Sequence, residues 1–246
     1  MRLAILMSNT DESAFAQSHP KDGEKWQTLL RPHCPACDFS VYSVKDGEFP
    51  VDASAYDGLI ITGSPASVHD VDPWLDRLFT LIRSAVAQNI PLFGACFGHQ
   101  AIALALGGRV ADNPGGWVFG VTQTQISAPA PWMADHAATV ALHAAHIEQV
   151  TRLPKGAQIT MGNNECPFGG FIIANQVFTT QYHPEITAPF MTALIDAFED
   201  QKPRDVIQRA RASMVQTTDN AVFAQWILAF FRQAQSSAAR RSITVT

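Results

Sequence analysis

Pro91-Leu-Phe-Gly-Ala-Cys-Phe-Gly-His-Gln100 is the most informative segment of this 246-residue chain. It begins as a short apolar run typical of a buried strand and continues into a helix, which we expect to start near Cys96 and to end at Gly107-Gly108. Cys96 lies between Gly94 and Gly98, the Gly-x-nucleophile-x-Gly spacing of a sharp turn from strand to helix. A side chain at either flanking position would collide with the neighbouring strand or helix. The segment therefore predicts an α/β fold with a nucleophilic cysteine at a strand end.

Short apolar runs alternate with segments of helical period on both sides of this turn, which is typical of a layered α/β sheet. We predict strands at 3–7, 39–44 and 56–62, and helices at 25–30 and 73–88. After Arg109 the pattern changes to short strands and turns (118–126, 139–142, 158–161, 170–174 and 177–182), which predicts a small antiparallel addition. Helical segments follow at 189–198, 204–213 and 220–234.

The fold class predicted from this pattern is α/β, a doubly wound, largely parallel sheet. No repeat or long linker divides the chain. We therefore expect residues 1–246 to form a single domain, with a helical C-terminal extension from about residue 190.

A second segment, Tyr182-His-Pro-Glu185, follows the last predicted strand. It places His183 at a carboxyl end of the sheet, where open α/β sheets bind ligands. Glu185 is close enough in sequence to orient the imidazole from its far side, and an activated thiol requires a base held by a third group. Each segment also has a structural interpretation: a buried cysteine in a glycine-lined turn, and a surface histidine beside a helix-capping glutamate. Together they predict the catalytic triad Cys96, His183 and Glu185.

The two segments resemble the paired signature of class I glutamine amidotransferases. The chain order Cys, His, Glu also fits that family and differs from the order nucleophile, acid, His of α/β-hydrolases. The resemblance implies a flavodoxin-like α/β fold and attack of the Cys96 thiol on the side-chain amide of glutamine. A glutamyl thioester would form while ammonia leaves.

The resemblance extends to Thr62-Gly-Ser-Pro-Ala-Ser-Val68, which is similar to the family's oxyanion strand. It implies that backbone amides at Gly63 and Ser64 join that of Phe97 in holding an oxyanion. The Thr-Gly-Ser-Pro sequence resembles that of stand-alone members similar to the glutaminase domain of GMP synthase. The chain as a whole thus resembles these members and related γ-glutamyl peptidases. For Gln100 the resemblance implies a substrate-side role, and local helix capping is the alternative.

Two positions depart from the family pattern. Relatives often carry an acidic residue before Ile-Gly after the elbow helix, where this chain has Val118, and a serine where it has Ala145. Both departures fall where the α-amino and α-carboxylate groups of glutamine would be read. These two departures therefore bear on which substrate is bound more than on the thiol chemistry.

The acceptor of the acyl group is left open by these motifs. The segment after the triad is too short and too helical for an ATP-binding module, so no synthase domain is expected within the chain. Either water ends the reaction, as in a glutaminase or γ-glutamyl peptidase, or a separate synthase subunit takes the ammonia. Two further hypotheses fit the same residues: a non-catalytic protein that binds a glutamyl ligand, and a cysteine hydrolase of an unrelated acyl substrate.

Composition excludes several other classes. Hydrophobic residues make up 47% of the chain and charged residues 16%, enough for a sizeable core. The net charge is −5 without a basic patch, so we expect no nucleic-acid partner. No stretch approaches the roughly 18 apolar residues of a membrane helix, and the apolar N-terminus is too short for a signal peptide. We expect a cytoplasmic protein without a membrane partner, with glutamine or a γ-glutamyl small molecule as substrate.

Cysteine and histidine clusters give weaker signals. Cys34 and Cys37 form a lone Cys-x-x-Cys pair without the second pair that a zinc site needs. All four cysteines are expected to be reduced in the cytoplasm. Three histidines, His136, His143 and His146, are more typical of hydrogen-bonded side chains than of a metal site. We therefore expect no metal and no cofactor.

Overall fold

A nine-stranded sheet forms the centre of the molecule. The structure, a computed structural model, describes residues 1–133 and 137–244, with side chains as far as residue 234. Its strands are β1 (Arg2–Met7), β2 (Asp38–Ser43), β3 (Gly58–Ile61), β4 (Leu92–Ala95), β5 (Arg109–Asp112), β6 (Val118–Ile126), β7 (Thr139–His146), β8 (Glu148–Arg152), β9 (Gln158–Gly162), β10 (Gly170–Ile173) and β11 (Val177–Thr180). Its helices are α1 (Ala14–Gln17), α2 (Asp22–Leu30), α3 (Pro73–Ala87), α4 (Phe97–Ala105), α5 (Ala188–Ala197), α6 (Arg204–Ser213) and α7 (Asn220–Thr244).

The strand order in this sheet is β2-β1-β3-β4-β11-β10-β9-β6-β7. The first five are parallel to one another, and the remaining four continue the sheet in antiparallel pairs. β5 and β8 form a separate two-stranded antiparallel sheet. The order 2-1-3-4 of the first four strands is that of flavodoxin-like folds. The predicted fold class, a doubly wound and largely parallel α/β sheet, is confirmed.

Helices cover both faces of the parallel strands because β1 is apolar on both faces. Leu3 and Ile5 point to one face and pack in a cluster with residues of α2 and α7. Ala4 and Leu6 point to the other face and pack with α3 and α4. All four side chains are fully buried, and burying a leucine or isoleucine contributes about 1.5–3 kcal/mol. These two layers fix the positions of the strand ends.

A third apolar cluster lies beside the antiparallel half of the sheet. It joins Phe119 of β6 to one face of α5 and α6, including Met191 and Ile207. α7 does not belong to it, since Phe230 and its neighbours pack in the cluster that contains α2. The predicted helical extension thus divides between two parts of the core. No helix in the described part of the chain is long and apolar enough to cross a bilayer.

The expectation that all four cysteines are reduced is wrong for Cys34 and Cys37, which form a disulfide. Cys34 follows a short 3-10 turn at the end of α2, and the N–H of Cys37 donates a hydrogen bond to the Cys34 carbonyl at 3.0 Å. This reverse turn places the two Cα atoms 5.3 Å apart, within the usual range for a disulfide. Cys96 and Cys166 are free thiols.

Candidate active site

Three adjacent parallel strands, β3, β4 and β11, end at the same edge of the sheet. Gly63 follows β3, Cys96 follows β4 directly, and His183 lies three residues beyond the end of β11. The N–H of Cys96 donates a hydrogen bond to the carbonyl of Thr180 at 2.9 Å, which extends the pairing of β4 with β11. The sheet therefore brings together residues that are far apart in sequence.

Cys96 occupies a strained turn at the start of α4. Its backbone angles are φ 49° and ψ −106°, and a positive φ is uncommon for a residue with a side chain. A Cβ atom at Gly98 would overlap the carbonyl oxygen of Ile61, and one at Gly94 would lie 2.6 Å from the Gly98 backbone. Glycine at both positions is thus required by close approach of α4 to the sheet, as the spacing predicts.

His183 and Glu185 form a buried pair. His183 Nδ1 lies 2.7 Å from Glu185 Oε1, and the His183 N–H donates to the carbonyl of His143 at 2.8 Å. Burial lowers the pKa of His183, but the Glu185 carboxylate and the Cys96 side chain more than offset this and raise it well above 6.5. The arrangement stabilises an imidazolium between a carboxylate and a sulfur.

Gly63 lies against the side chains of both Cys96 and His183. A Cβ there would be 2.7 Å from His183 Cε1 and 3.8 Å from Cys96 Cβ, so any larger residue would displace the imidazole. No described residue accepts a hydrogen bond from the backbone N–H of Gly63, Ser64 or Phe97. These three amides are the predicted oxyanion donors. Their convergence on one point stays a prediction.

Gln100 lies away from the cavity, although the resemblance implies a substrate-side role for it. Its Nε2 donates to the carbonyl of Glu148 at 2.7 Å and to Gln181 Oε1 at 3.2 Å. Gln181 Nε2 in turn donates to Cys96 Sγ at 3.6 Å. Gln100 thus orients the amide that contacts the sulfur. The sequence motifs did not indicate Gln181, although it directly precedes Tyr182-His-Pro-Glu185.

A cavity of about 440 Å³ opens beside Cys96, His183 and Glu185. Polar residues of the segment after β1 form one wall, among them Asn9, Asp11, Glu12, Lys21 and Lys25. The other wall is mainly apolar, and consists of Trp117, Phe119, Ala145, Ile186, Phe190, Leu194, Phe198 and Lys202. The expectation that Val118 faces the substrate is wrong, because strand alternation turns Val118 into the core between Trp117 and Phe119.

Two of the histidines considered as metal ligands, His143 and His146, are buried in β7. Burial lowers the pKa of His143 to about 4 and that of His146 to about 3, so both are neutral at pH 7. The described residues contain no group of three His, Cys, Asp or Glu side chains arranged for a metal. His136 lies outside the described residues.

Comparison with known proteins identifies the family. The family model for glutamine amidotransferase class-I matches residues 35–198, a segment that contains Cys96, His183 and Glu185. The match covers more than half of the chain. The chain therefore belongs to the class I glutamine amidotransferase family.

Individual relatives share only a minority of their residues with this chain. Gamma-glutamyl peptidase 3 of Arabidopsis thaliana is 24% identical over 82% of this chain and 80% of its own length. A gamma-glutamyl-L-1-hydroxyisopropylamide hydrolase of Pseudomonas sp. is 33% identical over 54% of this chain, and the match spans 48% of that relative. The crystal structure of a glutamine amidotransferase from Thermotoga maritima superposes with a TM-score of 0.74 at 18% identity, covering 94% of this chain and 97% of that one. The last comparison shows the fold alone.

Proposed function

We propose that this protein cleaves the side-chain amide of glutamine, or the amide of a γ-glutamyl compound, through a thioester on Cys96. The observation that carries the proposal is one cavity lined by a free cysteine on a strained turn and a buried histidine–carboxylate pair. Backbone amides without an acceptor among the described residues adjoin it. A thiol-dependent acyl transfer needs this set of a nucleophile, an oriented base and oxyanion donors.

The proposed reaction has two halves. His183 takes the proton from Cys96 Sγ, and the sulfur attacks the γ-carbonyl carbon of the substrate. The amides of Gly63, Ser64 and Phe97 hold the oxyanion, and His183 then gives its proton to the leaving nitrogen, so that ammonia or an amine departs. Water attacks the thioester with His183 again as base, releasing glutamate and restoring the thiol.

We propose water as the final acceptor, which makes the protein a hydrolase of γ-glutamyl amides. The peptidase and hydrolase names of two relatives favour this choice. The size and aromatic wall of the cavity also suit a substrate larger than glutamine. Delivery of ammonia to a separate synthase subunit is the second candidate.

The test compares the wild type with Cys96→Ser and a matched thiol control, Cys166→Ala. Each protein is incubated with glutamine and with γ-glutamyl dipeptides, glutamate release is measured, and acid-quenched protein is searched by mass spectrometry for a glutamyl adduct on Cys96. We expect the wild type and Cys166→Ala to release glutamate. Cys96→Ser should lose about a thousandfold or more, as other nucleophile replacements do.

The outcomes separate the candidates. Unchanged glutamate release in Cys96→Ser would refute the nucleophile assignment. A wild type that forms no adduct and releases no glutamate alone, but does so with a co-purifying synthase, would assign the protein to the ammonia-delivering class. Ligand binding without an adduct under either condition would identify a non-catalytic member.

A further inference from the structure

One ammonium group on the apolar wall of the cavity has no carboxylate partner among the described residues. Lys202 lies in the connection between α5 and α6, and its side chain lines the cavity that contains Cys96. Its Nζ lies 3.1 Å from the ring centroid of Trp117, 4.3 Å from that of Phe198 and 5.6 Å from that of Phe119. Within the described part of the chain, no side chain accepts a hydrogen bond from this ammonium group.

The other half-buried lysines of the cavity wall are neutralised. Lys25 pairs with Asp22 at 2.9 Å, and Lys45 pairs with Glu12 at 2.6 Å. Burial without such a partner lowers the pKa of Lys202 to about 8. Removing an ammonium group from water without an acceptor is unfavourable. An anion that entered the cavity would supply the missing acceptor and countercharge, and would therefore bind to Lys202 favourably.

The position of the head group argues against a merely structural lysine. A lysine that only covers apolar surface with its methylene stem turns its ammonium group outward to water. Lys202 Nζ instead lies on the face of Trp117, inside the cavity wall. The rings of Trp117, Phe119 and Phe198 attract the positive charge but accept no strong hydrogen bonds, so the N–H donors stay available to a ligand.

We propose that Lys202 binds a carboxylate of the substrate, so that the cavity selects anionic γ-glutamyl compounds. This inference rests on the proposed function for the identity of the substrate. A γ-glutamyl peptide offers two such groups, the α-carboxylate of the glutamyl half and the C-terminal carboxylate of the amine half. When the scissile carbonyl lies at Cys96, one of these two carboxylates extends along the wall formed by the aromatic rings. That carboxylate is the one that the Lys202 ammonium group binds.

The experiment uses three amides that differ in their carboxylates. γ-Glutamyl-phenylalanine carries both carboxylates, γ-glutamyl-phenethylamide carries only the glutamyl one, and 4-aminobutyryl-phenylalanine carries only the C-terminal one. We expect Lys202→Met to lower kcat/KM for γ-glutamyl-phenylalanine about 10- to 100-fold, mainly through KM, as loss of a charged hydrogen bond does. Of the two amides with a single carboxylate, the one that retains the carboxylate bound by Lys202 should lose as much kcat/KM in Lys202→Met. The other should lose several-fold less. That difference identifies the carboxylate.

Lys202→Arg is the matched variant, since it keeps the charge and should keep most of the preference. Equal losses on all three amides, or no loss on γ-glutamyl-phenylalanine, would overturn the assignment. If the wild type cleaves none of them, the proposed hydrolysis of γ-glutamyl amides fails. Calorimetric binding of the same compounds to Cys96→Ala, with and without Lys202→Met, then tests the carboxylate site separately, and affinities independent of Lys202 would refute it.

Discussion

The protonation state of His183 depends on two neighbours that act in the same direction. Burial lowers the pKa of its imidazole, whereas the Glu185 carboxylate and the Cys96 sulfur raise it, and the net result lies well above 6.5. If either neighbour is removed, less interaction remains to offset the lowering of the His183 pKa by burial. We expect the pKa of His183 to be lower in Glu185→Gln and in Cys96→Ala than in the wild type, as measured by NMR titration of the imidazole Cε1–H with His183→Asn for assignment. An unchanged or higher pKa in both variants would contradict the triad geometry.

Gln181 contacts the Cys96 sulfur, and the sequence motifs gave no sign of this contact. Its amide donates to Cys96 Sγ, and Gln100 fixes the orientation of that amide by donating to its oxygen. Gln181→Met keeps the approximate volume and removes the donor. We expect kcat/KM for a γ-glutamyl amide to fall about 5- to 30-fold, the equivalent of one lost hydrogen bond.

Gln100→Met is the matched control for this prediction because it leaves the Gln181 donor in place, although it removes the hydrogen bonds of Gln100 to Gln181 and to the Glu148 carbonyl. Its effect on kcat/KM should be smaller than that of Gln181→Met. Thermal unfolding of both variants checks that the fold is retained. A larger loss in Gln100→Met than in Gln181→Met would contradict this order of effects and would show that Gln100 contributes more than the orientation of Gln181.

Among the elements, the buried ones were the easiest to predict from the sequence. β3, β4 and the helix after Cys96 are fully or largely buried, so their apolar runs were visible in the sequence. β5 and β8 were not predicted: β5 exposes three of its four residues, and β8 buries only Gln149 and Val150 of its five. The site divides in the same way. That Cys96, His183 and Glu185 line one cavity could be predicted from local spacing and strand ends, and their catalytic role stays a prediction. The contacts of Gln181 and Lys202 could not, because they join segments that meet only after folding.

The start of α7 is attached to the outermost strand of the sheet by one residue. Asp219 Oδ2 accepts a hydrogen bond from the N–H of Ala141 in β7 at 2.8 Å, and the Asp219 N–H donates to the Ala141 carbonyl at 2.8 Å. Asp219 also precedes the first residue of α7, where an aspartate stabilises a helix N-terminus. It therefore connects the helix to the sheet edge.

We expect Asp219→Ala to lower the free energy of unfolding by about 1–3 kcal/mol, because the Ala141 N–H loses its acceptor and α7 loses the aspartate that precedes its first residue. The measurement is urea denaturation followed by circular dichroism. Asp219→Asn is the matched control, since it keeps an acceptor oxygen and should cost less. An alanine variant as stable as the wild type would show that this connection does not hold α7 in place.

For the whole molecule, we propose that residues 1–246 act as one domain. Leu3 of β1, Val140 of β7 and Phe230 of α7 belong to the same apolar cluster, although they come from the two ends and the middle of the chain. A boundary near residue 190 would cut through this cluster. A domain with one such core is expected to unfold cooperatively, so protonation of its buried groups changes the free energy of unfolding of the whole domain.

Three buried histidines make the fold sensitive to acid. Burial lowers the pKa of His99 to about 3, of His143 to about 4 and of His146 to about 3, against 6.5 when unfolded. Between these values the unfolded state binds more protons, so stability is full above pH 6.5 and falls with decreasing pH by about 1.4 kcal/mol per unit for each histidine. His183 has a raised pKa, so its stabilising contribution grows as the pH falls towards 6.5 and is complete well below it; between pH 7 and pH 5 it offsets only a small part of this loss.

We therefore expect the free energy of unfolding to be lower at pH 5 than at pH 7 by roughly 4–6 kcal/mol, a large part of the 5–15 kcal/mol typical of a domain. Urea denaturation at the two pH values measures the difference. His99→Gln removes one titrating group, so the pH 5 to pH 7 difference should shrink by about 2 kcal/mol even if the variant is less stable at both. If the free energy of unfolding of His99→Gln changed between pH 5 and pH 7 as much as that of the wild type, His99 would take up no proton on unfolding. Burial would then not lower its pKa.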